Sequence, residues 1–228
     1  MLTSTNTRTP VTARRSTARV ALAGGLVFLV VYLASSYLSG MAADRALPMP
    51  TDPGGVVRGY YADETAAVLI NSACMLISVG GLAAFMVAFR RGLGARAATA
   101  RARWGNAAGV FAVAALVVSM ILTAVLTFGA ASMTDATAGD VNMAIFWSGG
   151  TAHVAALGAY TWLVGGRYDG LSIRVLAAVA AVPAVLSLLS LAIYTASALI
   201  LLGRLLCMVW TVAAAISLMR AARRADPA

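Results

Sequence analysis

Two residues able to do chemistry stand inside otherwise apolar sequence: Arg204, in ALILLGRLLCMVW (198–210), and His153, in SGGTAHVAALG (148–158). Arginine keeps its charge in any protein setting, and near the centre of a membrane helix it costs about 2.5–3.5 kcal/mol on insertion scales. Arg204 must therefore face protein or water. Ser197, Arg204 and Thr211 recur at a spacing of seven, as do Glu64, Asn71 and Ser78 in an earlier segment. Seven residues are close to two helical turns, so each trio forms a stripe. If the two stripes face each other, Arg204 hydrogen-bonds Asn71 and reaches toward Glu64 or Asp63. His153 follows the Gly149–Gly150 pair, where a neighbouring helix can approach closely. Ser119, Thr123 and Thr127 add hydroxyls along another segment.

These groups admit two readings. In the first, Asn71, His153 and Arg204 line a small polar cavity open to the outer half of a membrane, fit for an anionic headgroup, a small solute or a proton. In the second, plainer one they tie helices together, each interhelical hydrogen bond contributing ~0.6 kcal/mol, with Arg204 extending its charge toward the interface. Glu64 and Asp63 sit at a helix start, where the helix dipole favours acids.

Established catalytic patterns are missing. The 148–158 segment loosely resembles the Ala-His helix of rhomboid-type intramembrane proteases, but those enzymes need a Gly-x-Ser-Gly nucleophile. Ser72, in INSACM, lacks the glycines, and without a serine beside a base there is nothing to activate. Asp169–Gly170 reads as a turn with no second carboxylate for two-metal chemistry. One histidine and two cysteines, Cys74 and Cys207, both in apolar segments, argue against haem, a metal site or a disulfide. No cofactor is implied.

The elements that must position Arg204 and His153 follow from composition. Hydrophobic residues make up 61% of the chain and charged residues 11%, against about 45–50% and about 25% in soluble domains. Lipid is the solvent such a chain expects. All seventeen basic residues are arginines. Fourteen fall in four clusters, Arg8/14/15/19, Arg90/91/96/101/103, Arg167/174 and Arg220/223/224, each separated from the next by enough apolar sequence to cross a membrane twice. The net charge of +9 therefore reads as the positive-inside bias and not as nucleic-acid binding.

The fold class expected is all-α: a polytopic bundle of six transmembrane helices, at about 20–40, 65–88, 106–130, 143–165, 175–194 and 198–219. Both termini lie on the cytoplasmic side. Residues 1–18 form a disordered basic tail, 19–219 the membrane domain and 220–228 a short tail. The first apolar run is longer than a signal-peptide core and reads as an uncleaved helix. Residues 175–219 are too long for one crossing and must turn, near Thr195–Ser197; Pro183 should kink the fifth helix. Six of the eight acids, Asp44, Asp52, Asp63, Glu64, Asp135 and Asp140, then share the outer side. Tyr37, Trp147 and Tyr194 mark the outer boundary; Trp104, Trp162 and Tyr168 mark the inner one. In the outer loop, Asp52–Pro53 suits the start of a short interfacial helix, with Tyr60 and Tyr61 at headgroup level; an irregular loop is the alternative, because Gly54, Gly55 and Gly59 all weaken a helix.

A basic tail before the first helix, Pro53 with Val56, Tyr60 and Tyr61 before the second, FRRGL (89–93) after it, and GRLLCMVW (203–210) in the last helix together resemble a group of uncharacterised six-helix membrane proteins of high-GC bacteria, classed as domains of unknown function. The resemblance implies fold and membrane location and transfers no catalytic residue. The function expected is non-enzymatic binding of a lipid or small hydrophobic molecule, or service as an accessory subunit, in the cytoplasmic membrane. Membrane lipids, a second copy of the chain or a larger membrane complex are the expected partners. A small secondary transporter or channel is the alternative, and an intramembrane enzyme using His153 and Arg204 is a third.

Overall fold

The computed structural model describes residues 11–166 and 170–224. The expectations that fall on Arg8, Arg167, Tyr168, Asp169, the Tyr194 side chain and the outermost tails lie outside the described residues. Among the described residues all regular structure is helical. The helices are α1 (Val11–Ala42), α2 (Gly54–Asp63), α3 (Thr65–Leu93), α4 (Ala100–Gly129), α5 (Asp135–Ile145), α6 (His153–Gly165), α7 (Leu171–Leu186) and α8 (Ala198–Arg224). Five segments are long and apolar enough to cross a membrane: Ala13–Ala42, Thr65–Ala98, Ala100–Ser132, Leu171–Leu191 and Thr195–Arg224. A further path runs from α5 to α6 through a π-helical turn at Phe146–Ala152.

The long paths close into a ring. Helix α1 packs on α3, α3 on α4, α4 on α6, α6 on α7, α7 on α8, and α8 returns to α1. Small residues permit the close approaches. A Cβ on Gly24 would stand 2.6 Å from the Gly81 carbonyl oxygen, and one on Gly81 would stand 2.8 Å from that of Gly24. Nearby, the Ser78 hydroxyl donates to the Phe28 carbonyl at 2.8 Å. Between α7 and α8, Gly203 lies against the backbone of Ala184. In the ring centre Trp210 is fully buried and meets Phe85, Phe89 and Tyr160 edge-on, with ring centres 5.8–6.0 Å apart. Leu33, Val118, Ile121 and Phe128 point outward and are about half or more exposed. Such a belt suits hydrocarbon as solvent, since packed small and aromatic groups hold the interior while Val, Leu, Ile and Phe cover the outside.

Several expected boundaries move. Helix α1 starts at Val11, so the residues before 19 are not all tail, and Ala18 is buried. Exposed Ser16 and half-buried Thr17, whose hydroxyl donates to the Ala13 carbonyl at 2.9 Å, do not stop the helix. Helix α8 continues to Arg224. The expected fifth helix ends earlier, at Leu186, three residues after Pro183. The chain then narrows to 3-10 turns at Ser187–Leu191 and Tyr194–Ser197, with Ile193 extended between them. The reversal therefore begins before Thr195.

The loop after α1 is built around α2. Asp52 does not cap it: the Asp52 carboxylate accepts from the Met49 N–H at 2.7 Å, and Pro53 occupies the cap position without a side-chain bond. Tyr60 and Tyr61 face inward. They are 5% and 4% exposed, packed with Val57, Val68, Leu126, Ala130 and Ala138 in a second small core. Helix α2 can lie this low because Gly54 touches the Asp135 backbone, leaving no room for a side chain. Arg58 pairs with Asp135 and Arg45 with Asp63, both at 2.9 Å. The result is a cap of α2 on α5 at the acidic end of the ring.

Candidate functional site

Arg204 stands on the first third of α8 and is 8% exposed. Its Nη1–H donates to the Tyr32 hydroxyl of α1 at 3.0 Å, and its guanidinium carbon lies 5.1 Å from the centre of that ring. Its Nη2–H donates to the Gly149 carbonyl. The third nitrogen, Nε, is buried without a partner. Among the described residues no carboxylate pairs with Arg204. A neutral phenol, an aromatic face and a peptide dipole take the place of a counter-ion, as the cation–π attraction and charge-assisted hydrogen bonds allow.

The π-helical turn supplies the acceptor. The His153 N–H reaches to the carbonyls of Ser148 and Gly150. Gly149, whose carbonyl an α-helical register would bond to that N–H, meets Arg204. Such turns recur at functional sites. The same turn holds Ser148 against the Ala144 carbonyl and receives the Ser119 hydroxyl on the Ile145 carbonyl. A side chain at 149 would collide with Ser119, so glycine lets α4 and Arg204 approach the turn from two sides. One turn further, the Thr151 and Ser190 hydroxyls meet at 2.9 Å, tying the π turn to the 3-10 stretch after α7.

His153 is fully buried. Its Nδ1 lies 2.8 Å from the Ala112 carbonyl of α4. A carbonyl only accepts, so Nδ1 carries a proton. Nε2 is buried and has no partner. His153 and Arg204 are thus joined through one turn of helix, and not by a direct bond.

The other two expected members are elsewhere. Asn71 is half-buried on α3 and makes no side-chain hydrogen bond among the described residues. Glu64, 8% exposed, accepts from the Asp44 N–H at 3.2 Å and belongs to the capping loop. The proposed bond from Arg204 to Asn71 or Glu64 is replaced by bonds to Tyr32 and Gly149. The reason is topological: α1 packs along both α3 and α8, so it comes between the two stripes. Tyr32 and the Gly149 carbonyl escaped the sequence reading. The one available signal was a tyrosine inside the apolar run of α1, five residues before Tyr37, since a phenol within a bundle needs a hydrogen-bond partner.

A second feature lies on the outside of the ring. Helices α6 and α7 border an apolar groove of ≈ 500 Å³, walled by Ala159, Trp162, Leu163, Ala178, Val182 and Val185. At its arginine-rich end, Arg101 from α4 stacks its guanidinium 5.6 Å from the Trp162 ring centre and donates to the Trp162 carbonyl at 3.0 Å. One charged group and one half-exposed indole therefore stand at the mouth of a channel without polar walls.

In the cap, burial raises the hydroxyl of Tyr61 from the ordinary value of 10.0 to about 12, with Tyr60 adding to the shift. Tyr60 is raised too, by burial first and then by the charge of Glu64. Among the described residues no group of three or more His, Cys, Asp or Glu side chains is arranged to hold a metal ion. Neither a family model, nor a curated protein, nor a solved structure matches this chain.

Proposed function

We propose that the chain is a six-span protein of the cytoplasmic membrane, both termini inside, that binds a lipid or another small hydrophobic molecule without chemical conversion. The observation that carries this reading is the α6–α7 groove. Its volume of ≈ 500 Å³ falls within the ~300–1,000 Å³ of small-molecule sites, and apolar walls with few polar groups are their usual lining. Arg101 and Trp162 at one end suit the region where lipid headgroups and chains meet. The α5–α6 path supplies the sixth crossing, and the grouping of the acids at the cap and the arginines at the other end supports the orientation. In the same reading the protein serves as an accessory subunit or self-associates, presenting the groove to lipid.

The test is lipid retention. Protein purified in mild detergent should carry a bound amphiphile detectable by native mass spectrometry. Ala159→Trp, which fills the groove, should abolish it while the protein stays folded. Equal retention by the variant sinks the groove as the site. For topology, single cysteines at Thr137 and Ser172, on either side of the α5–α6 path, in a Cys74- and Cys207-free background should label from opposite sides of intact cells. Labelling of both from outside excludes the six-span arrangement.

A small secondary transporter is the second reading. The π-helical turn beside buried Arg204 favours it, because interrupted helices hold the midplane sites of such proteins. Vesicles containing the protein would then dissipate an imposed proton or solute gradient, and Arg204→Gln would stop them. Gradients that decay alike with and without protein remove this reading.

A further inference from the structure

Arg204 carries a charge that no group of the protein neutralises. Its partners are the Tyr32 hydroxyl, the Tyr32 ring and the Gly149 carbonyl. All three are neutral, so the site keeps a full positive charge. No described carboxylate pairs with Arg204. The two remaining acids, Asp169 and Asp226, are too far along the chain to reach it. Arg224 lies twenty residues beyond Arg204 on α8, ~30 Å at the helical rise, and Asp226 follows two residues later. Helix α6 ends at Gly165, sixteen residues and roughly 24 Å past Gly149. The four residues from there to Asp169 span at most about 14 Å.

Free donors accompany that charge. The Arg204 Nε–H is buried and unpaired. Tyr32 accepts from Arg204 and, among the described residues, donates to nothing, so its own O–H stands free beside the guanidinium. Neutral hydrogen bonds between side chains would suffice to tie α1, α6 and α8 together. A buried cation with an unpaired donor costs far more than such ties need. Two free donors on one uncompensated charge match an anion, which they hold by charge-assisted hydrogen bonds. The site is small. Arg204 is 8% exposed and Gly149 is buried, whereas Tyr32 is half-buried and leaves its own side open. One charge in so enclosed a place favours a monovalent ion of few atoms.

We infer that Arg204 and Tyr32 form a binding site for a small monovalent anion, of halide or nitrate size, held by the Arg204 Nε–H and the Tyr32 hydroxyl. The anion serves as the counter-ion that the fold itself does not supply. The site depends neither on the α6–α7 groove nor on movement of a solute across the membrane.

Thermal unfolding of the whole chain in mild detergent tests this, with sodium gluconate exchanged for sodium chloride or sodium nitrate at constant ionic strength. Gluconate is too bulky for the site and serves as the reference. Chloride and nitrate should raise the melting temperature and then saturate, as a ligand of the folded state does. Tyr32→Phe removes one donor and should weaken the apparent affinity roughly tenfold, the loss expected for one charge-assisted hydrogen bond. Arg204→Gln should abolish the rise. Arg58→Gln removes an equal charge from the cap and should leave the rise intact; its loss there too would reduce the effect to bulk charge and overturn the site. No rise above gluconate overturns it as well, and so does an equal rise in the wild type and Arg204→Gln. Where Arg204→Gln does not fold, Tyr32→Phe decides, and an unchanged affinity in that variant rejects the site. Ala159→Trp should respond to chloride as the wild type does, which separates this result from that of the groove.

Discussion

Arg204 of α8 and Tyr32 of α1 meet at 3.0 Å, guanidinium to phenol, in the interior of a bundle where no described carboxylate faces the charge. A buried cation without a counter-ion is held only while its donors are engaged, because desolvation costs several kcal/mol per ion. Tyr32→Phe keeps the ring and removes the acceptor. It should destabilise the protein by about 1–2 kcal/mol, between the averages for membrane and for charge-assisted hydrogen bonds. A double-mutant cycle should find coupling between positions 32 and 204 and additivity between 64 and 204. Coupling to Glu64 in chemical denaturation would contradict the arrangement.

Gly81 and Gly80 are neighbours with opposite expectations. A Cβ at 81 meets Gly24 and Phe28 backbone atoms at 2.8–2.9 Å, whereas one at 80 meets nothing within 4 Å. Gly81→Ala should cost about 1–3 kcal/mol, as overpacking does. Gly80→Ala should stabilise α3 by roughly 0.5–1 kcal/mol through helix propensity. Thermal unfolding of the two variants side by side checks the α1–α3 contact.

The cap separates an ion pair from a steric fit. Arg58 and Asp135 are 43% and 59% exposed at the side chain, so Arg58→Ala should change stability by less than about 1 kcal/mol and progressively less in high salt. Gly54→Val pushes a side chain into the Asp135 backbone and should release α2 from α5. Hydrogen exchange of 54–63 would rise sharply in the second variant and barely in the first.

Alkali should open the cap. A tyrosine raised in the folded state holds its proton more tightly there than when unfolded. Its contribution is complete below pH 10.0 and is lost as pH rises through about 12. Tyr61→Phe should flatten that loss while leaving behaviour near neutral pH unchanged. Local exchange or near-ultraviolet absorbance over pH 9–12 would reveal it; identical alkaline profiles for both proteins would refute the assignment.

Much of the helical framework was legible because lipid solvation imposes one rule on every crossing, about twenty apolar residues between polar ends. The start of α3 at Thr65 and the start of α8 at Ala198 agree with that rule. Where local signals conflicted with packing, the reading missed. Asp52 closes a turn at Met49 and leaves α2 uncapped, and Tyr60 and Tyr61 are core residues of the cap, because a neighbouring α5 offered more apolar burial than an interface does.

Sequence alone determined that Arg204 faces protein or water and not lipid: a permanent charge amid apolar residues has few other solutions. It also put Arg204 with Thr211, and Asn71 with Ser78, on one side of a helix, since a spacing of seven returns to nearly the same side, whereas Ser197 and Glu64 fall outside α8 and α3. What it left open was which helix each face meets. Only the tertiary structure decided that α1 comes between α3 and α8, and that a π-helical turn lends the Gly149 carbonyl to Arg204. Helical periodicity is a property of one segment, whereas the order of helices around a ring is a property of all of them packed together.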